Sequence, residues 1–248
     1  MKLADSYLFD AVRTPRGKGK EDGALASVYP HEVVRQLINA LADRTSREAV
    51  ERVGGLTLGC VGQVKSQGGN IALVSRLHAG LPDTVPAMTL NNFCVSGLTA
   101  AGLAAQASAT GDDRLLLAGG VEMMSQVPFM GDKAAYYSDP KVAMALKFAP
   151  VALSADLMAT KDGLSKDRLD AITLRSHQRA AQAWEAGAHA NATIPIKGED
   201  GNVLLDRDEL VRPDLTAEKL AGLGPAFAEM GAQGFDEAML KMNPDLDA

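Results

Sequence analysis

Asn91-Asn92-Phe93-Cys94-Val95-Ser96-Gly97-Leu98-Thr99-Ala100-Ala101-Gly102-Leu103-Ala104-Ala105 is the stretch on which the fold turns. From Ser96 to about Thr110 it reads as a helix with no charged face. A helix apolar all round belongs in an interior, and its small side chains let neighbouring backbones come close. The pattern therefore predicts a central, sandwiched helix. Residues 88–91 read as a short strand, so Cys94 falls between a strand and the first turn of that helix. A thiol there meets unpaired backbone N–H groups and the positive end of the dipole. Both favour the thiolate, which is the attacking species. Position alone leaves a second reading open, a small core residue and nothing more.

Working outward, residues 7–12 form a strand candidate stopped by Arg13-Thr14-Pro15. Over 31–42 the apolar residues Val33, Val34, Leu37, Ile38 and Leu41 recur at helical spacing. Residues 56–61 read as a second strand, between Gly54-Gly55 and Gly62. Asn70 is placed to cap a helix carrying Ile71, Val74 and Leu77, which Gly80 and Pro82 end. A fourth strand, 114–118, runs into Gly119-Gly120. Strands alternating with helices through short loops imply a layered α/β architecture with largely parallel strands.

Beyond Gly120 the rhythm changes. Residues 123–150 are irregular, and Ser165 caps a long helix running to about Gly187. Residues 194–196 and 203–205 read as short strands around Gly201-Asn202, and 216–223 as a short helix. Two domains are expected, an α/β core over 1–120 and an excursion from it, with a tail, over 121–248. The chain shows no internal repeat.

Composition narrows the function classes. The 248 residues are 46% hydrophobic and 23% charged, as in soluble globular proteins. No run of ~20 apolar residues is present, which argues against a membrane span. The N-terminus lacks the apolar core of a signal peptide, so the cytoplasm is the expected compartment. A net charge of −6 argues against a nucleic-acid surface. The basic run Arg13, Arg16, Lys18, Lys20 is followed at once by Glu21 and Asp22 and reads as a solvated loop. If it touches a ligand, a phosphorylated cofactor suits it better than a duplex. Two cysteines, Cys60 and Cys94, are too few for a disulfide framework and lack zinc-ligand spacing, so no metal is expected. Cys60 follows a strand-like run and reads as a buried structural thiol.

The segment around Cys94 resembles the nucleophile motif of the thiolases: an Asn, two positions, Cys, one position, Ser-Gly, then a small-residue helix. Ala11-Val12-Arg13-Thr14-Pro15 is similar to that family's opening strand and turn. Ala79-Gly80-Leu81-Pro82 with Val85-Pro86-Ala87 resembles its approach to the nucleophile. Ala118-Gly119-Gly120-Val121-Glu122-Met123-Met124-Ser125, continued by Pro128, resembles the Ala-Gly-Gly-x-Glu-x-Met-Ser signature. Asp206-Arg207-Asp208-Glu209 with Arg212, Leu220 and Pro225-Ala226-Phe227 resembles the end of the family's loop domain. The likeness runs from about residue 7 to 227. Ketoacyl synthases share a Cys at this point, but not the Arg-Thr-Pro opening or the Glu-x-Met-Ser run.

The resemblance implies an α/β fold, a thiolase-like layered half-domain of βαβαβαββ type with an inserted mixed α/β loop domain. It implies an acyltransferase that moves acyl groups between coenzyme A and a thiolate. The reaction is thiolysis of a 3-ketoacyl-CoA, as in fatty acid metabolism, or condensation of two acyl-CoA molecules. Cys94 is the implied nucleophile, and its own backbone N–H would join an oxyanion hole. Coenzyme A and acyl-CoA enter as substrates, with no permanently bound cofactor and no coenzyme A contacts assigned to particular residues.

Three family motifs do not occur here: Gly-His-Pro, Cys-x-Gly and Asn-Glu-Ala-Phe, all carried by the thiolase C-terminal half. His31, His78, His177 and His189 lack the required neighbours. Pro150-Val151-Ala152, ahead of Ser154-Ala155-Asp156, stands where many members have a substrate-contacting His-Met-Gly. Residues 229–248 do not resemble the strand that opens the second half. The expectation is a split thiolase. A separate polypeptide would supply the His, the second Cys and the Asn motif, in an α2β2 heteromer. The alternatives are a non-catalytic truncated scaffold or acyl-CoA-binding module, and a fragment of a full-length enzyme.

Overall fold

The computed structural model describes residues 3–246. They form two compact units, one through Asp132 together with Gly187–Leu210, the other Lys133–Ala186 together with the residues from Val211 on.

The first unit is built on three parallel strands, β1 (Val53–Gly59), β2 (Ala87–Leu90) and β3 (Leu115–Gly120), in the order β2-β1-β3. β1 pairs Leu56 with Ala87 on one side and Gly59 with Gly120 on the other. Side chains alternate across a strand, so Leu56 and Leu58 point to one face and Gly55 and Gly59 to the other. On the leucine face lie helices α1 (Pro30–Arg44) and α3 (Ile71–His78), with the short α2 (Arg47–Glu51) between them in sequence. Val33, Val34 and Ile38 of α1 and Ile71 and Ala72 of α3 close a core around Leu56, Leu58 and Cys60. Each such aliphatic side chain, fully buried, contributes about 1.5–3 kcal/mol.

Asn70 caps α3, its Oδ1 accepting the N–H of Leu73 at 3.1 Å, while its Nδ2 donates to the Ala87 carbonyl at 3.1 Å. One side chain therefore ends the loop and fixes α3 to β2. The glycine face carries α4 (Ser96–Ala109), which packs on β1 and β3.

Two local expectations are corrected. Residues 7–12 are not in a strand: the nearest pairing is a bridge from Arg13 to Thr193, and Leu8 and Phe9 are 86% and 80% exposed. An extended segment becomes a strand only against a partner's hydrogen-bonding edge, and among the described residues this one has none along its length. α4 is not sandwiched either. Only Ser96 and Ala100 are buried, and Leu98 is 75% exposed. The sheet covers one side of the helix, and the other side, apolar as the sequence said, faces outward.

The hairpin of β4 (Ile196–Lys197) and β5 (Val203–Leu205) belongs to the first unit. Ile196 is fully buried in its core, and Gln36 of α1 holds Lys197 through two hydrogen bonds, at 2.9 and 3.0 Å. The compact units thus divide the chain differently from a single cut at residue 120.

The second unit is helical: α5 (Ala135–Ser138), α6 (Pro140–Ala145), α7 (Val151–Lys161), α8 (Lys166–Glu185), α9 (Ala217–Ala221), α10 (Ala228–Met230) and α11 (Asp236–Met242). Ser165 caps α8, as its position before the periodic run implied, accepting the Arg168 N–H at 3.3 Å. The Met- and Phe-bearing segment near the C-terminus folds inward here, burying Phe235 and Met239 against Ala143 and Leu153.

Candidate active site

In parallel α/β sheets, ligands bind at the carboxyl ends of the strands. Cys94 lies there, exposed, on the turn from β2 into α4. The turn is tight. Phe93 has φ +50°, in the left-handed region that costs a non-glycine residue about 1–2 kcal/mol. Local hydrogen bonds offset that strain. The Asn91 carboxamide oxygen accepts the Phe93 N–H at 2.9 Å. The Ser96 hydroxyl donates to the Phe93 carbonyl at 2.6 Å and accepts the Asn92 N–H at 2.8 Å. The Asn92 amide donates to Thr99 Oγ1 at 2.8 Å, joining the turn to the second turn of the helix.

The start of α4 sits almost on the sheet. A methyl group on Gly59 would fall 2.5 Å from the Ser96 carbonyl carbon, and one on Gly120 would fall 3.1 Å from the Gly59 carbonyl oxygen. Only glycines let helix and strand backbones meet this closely. The turn bearing Cys94 is therefore set directly on the strand ends.

Around it, the loops after β1 and β3 are joined by polar side chains. Glu122 accepts the N–H groups of Val61 and Gly62 at 2.8 and 3.2 Å, and Gln67, fully buried, donates to Glu122 at 2.7 Å. Sequence reasoning noted Glu122 only as part of a motif and passed over Gln67. A lone glutamine in a loop carries no periodic or spacing signal.

The other titratable candidates lie elsewhere. Cys60 is buried, and burial, reinforced by the Glu122 carboxylate, pushes its thiol up to about 12, which suits an inert structural thiol. His31 and His78 meet edge to face at 4.8 Å between α1 and α3, and His78 Nε2 lies 2.7 Å from Glu32. His177 Nδ1, in the second unit, accepts the Arg212 N–H at 3.2 Å. Arg13 of the basic run is engaged by Asp208 through two bonds of 2.7 and 3.0 Å, and Lys18 by Asp22 at 2.5 Å. Among the described residues no His, Cys, Asp and Glu side chains group as a metal site would require, and no helix is long and apolar enough to cross a membrane.

A cysteine on a strained strand-to-helix turn, at the carboxyl edge of a parallel sheet, defines a class: an α/β chain that presents an exposed thiol on a tight elbow. Comparison with known proteins gives the family. Residues 6–234 match the family described as "Thiolase, N-terminal domain", and the chain belongs to the thiolases.

Among its relatives, the beta-ketoadipyl-CoA thiolase of Pseudomonas knackmussii is 37% identical over 237 residues, 88% of this chain and 59% of that protein. The 3-ketoacyl-CoA thiolase of Cronobacter sakazakii is 36% identical over 223 residues, 89% of this chain and 57% of the relative. In structure, the chain is similar to the crystal structure of the Bacillus anthracis acetyl-CoA acetyltransferase. That match has a TM-score of 0.77 and 30% identity, and covers 91% of this chain and 59% of that one. The chain thus spans less than two thirds of the length of the relatives it matches, and the fold is thiolase-like.

Proposed function

We propose that this chain is the nucleophile-bearing part of an acyl-CoA acyltransferase, with Cys94 the residue that takes the acyl group. The observation carrying this is the exposed Cys94 on its braced turn, directly before the start of α4 at the carboxyl edge of the sheet.

The Cys94 thiolate adds to the thioester carbonyl of acyl-CoA. The tetrahedral intermediate expels coenzyme A as its thiolate, which takes up a proton, and the acyl group remains on Sγ. In thiolysis the thiolate adds to the ketone carbon of a 3-ketoacyl-CoA. The C2–C3 bond then breaks, the departing acetyl-CoA carbanion takes a proton, and coenzyme A finally removes the acyl group from sulfur. The Cys94 backbone N–H serves the oxyanion of each tetrahedral intermediate.

Each cycle needs groups that give and take protons within hydrogen-bond reach of sulfur and leaving group. These come from a complementary thiolase C-terminal half on a separate polypeptide, in an α2β2 heteromer of the cytoplasm. The outward apolar side of α4, with Leu98 and Leu103, supports such a surface, as do the exposed Tyr7, Leu8 and Phe9. Among the described residues β3 is also an edge strand, with one side unpaired in the sheet order.

The test mixes this chain with a thiolase C-terminal half and assays coenzyme A-dependent cleavage of a 3-ketoacyl-CoA. Activity from the pair and from neither part alone is expected. A pair that assembles and stays inert, even though the chain binds coenzyme A, favours the acyl-CoA-binding module instead.

A further inference from the structure

We propose that Gln67 and Glu122 are positioning residues for Cys94, a polar clamp at the sheet's carboxyl edge that holds the nucleophile turn in register. This deepens the reading of Cys94 as nucleophile and rests on it.

The clamp spans two loops. Gln67 Nε2 donates to the Gly62 carbonyl at 2.8 Å and to Glu122 Oε1 at 2.7 Å, and its Oε1 accepts the Met123 N–H. Glu122 accepts from Val61 and Gly62. Donors and acceptors of both side chains are thus engaged, the fully buried Gln67 tying the exposed Glu122 to both loops, and such a satisfied network favours one geometry. Gly62 leaves the space for it. A methyl group there would lie 2.7 Å from Val127 Cγ1, 3.1 Å from Glu122 Oε1 and 3.2 Å from Gln67 Nε2.

The clamped loop then reaches the nucleophile. The Asn91 amide donates to the Val61 carbonyl at 3.4 Å, and the same carboxamide's oxygen accepts the Phe93 N–H that sets the left-handed turn before Cys94. Gln67 and Glu122 hold residues 61–62, these hold Asn91, and Asn91 holds the backbone next to sulfur. Neither clamp residue touches the reacting atoms. Their work is to hold the backbone beside Sγ in one geometry.

Alkylation of Cys94 by iodoacetamide, followed by mass spectrometry across pH in the whole chain, tests this. Gln67→Met keeps length and charge and removes three hydrogen bonds. It is expected to lower the labelling rate about fivefold across the profile, the scale of one misaligned hydrogen bond. Glu122→Gln, the milder change, keeps one acceptor oxygen and is expected to slow labelling by a smaller factor. It carries the test if Gln67→Met does not fold. Asp208→Asn is the control: it breaks the ion pair with Arg13 and is expected to lower the melting temperature while leaving the Cys94 profile in place. If both clamp variants lower the melting temperature as the control does and leave the profile unmoved, the clamp is only structural and the proposal is overturned. A parent Cys94 that does not react at all overturns the nucleophile reading itself, a different result.

Discussion

Gly59 and Ser96 meet backbone to backbone, so closely that one added carbon on Gly59 would lie 2.5 Å from the Ser96 carbonyl carbon. A strand end and a helix start are thereby locked together two residues from the candidate nucleophile.

Gly59→Ala is therefore expected to displace the start of α4. Overpacking of this kind costs about 1–3 kcal/mol, and because the clash is with backbone, no side chain can swing aside. Urea unfolding should show the loss, and iodoacetamide labelling of Cys94 should slow with it.

Ser96→Ala removes the hydroxyl that donates to Phe93 and accepts from Asn92. Ser96 is buried, so the Asn92 N–H is left without its acceptor, at a cost of about 1–3 kcal/mol. The expected result is a lower melting temperature with the same secondary structure by circular dichroism.

Two acidic residues with ion-pair partners should behave differently. Asp208, mostly buried, receives the Arg13 guanidinium through two bonds and the Arg16 N–H at 2.8 Å, so Asp208→Asn is expected to cost about 1–2 kcal/mol. Asp22 pairs with Lys18 in the open, and Asp22→Asn should leave stability close to that of the parent. Chemical denaturation of the two variants side by side measures the difference.

The α1–α3 contact makes stability fall on acidification, in two steps. Burial, then the neighbouring His78, hold the His31 imidazole below its ordinary value of 6.5. The unfolded chain then takes up a proton that the folded one resists, so stability is full above about pH 6.5 and declines below it. Glu32 is held down to about 2 by the Arg35 guanidinium first, with Gln36 and His78 adding to it. Its contribution is present above its ordinary value of 4.5 and is lost between there and about 2. Melting curves from pH 7.5 to 5.5 should fall in the parent and flatten in His31→Gln.

Much of the first unit was legible because its elements are short, periodic and punctuated. The apolar spacing of 31–42 and the Asn70 cap sit in the elements expected of them, and the run 56–61 contributes its residues 56–59 to β1, which starts earlier, at Val53, and takes in Gly54 and Gly55. Residues 7–12 were misread because strand propensity records what a segment can pair with, not whether a partner is there. The composition of α4 likewise says what that helix would bury, and only one side is covered. The hairpin over 196–205 was assigned by its place in the chain, whereas Ile196 in the core and Gln36 at Lys197 tie it to the first unit. Cys94 stood out because its neighbours form a motif. Gln67 did not, since its importance lies in three bonds, two of them to residues more than fifty positions along the sequence.

The most direct test of the central claim is acyl transfer to one sulfur. The chain, combined with a thiolase C-terminal half, is incubated with acetyl-CoA, quenched in acid, digested and examined by mass spectrometry. The peptide carrying Cys94 should gain a single acetyl group that added coenzyme A removes, and Cys94→Ala should abolish it while the complex still forms. An assembled complex that leaves Cys94 unmodified, or that is acetylated only at another residue, would contradict the account.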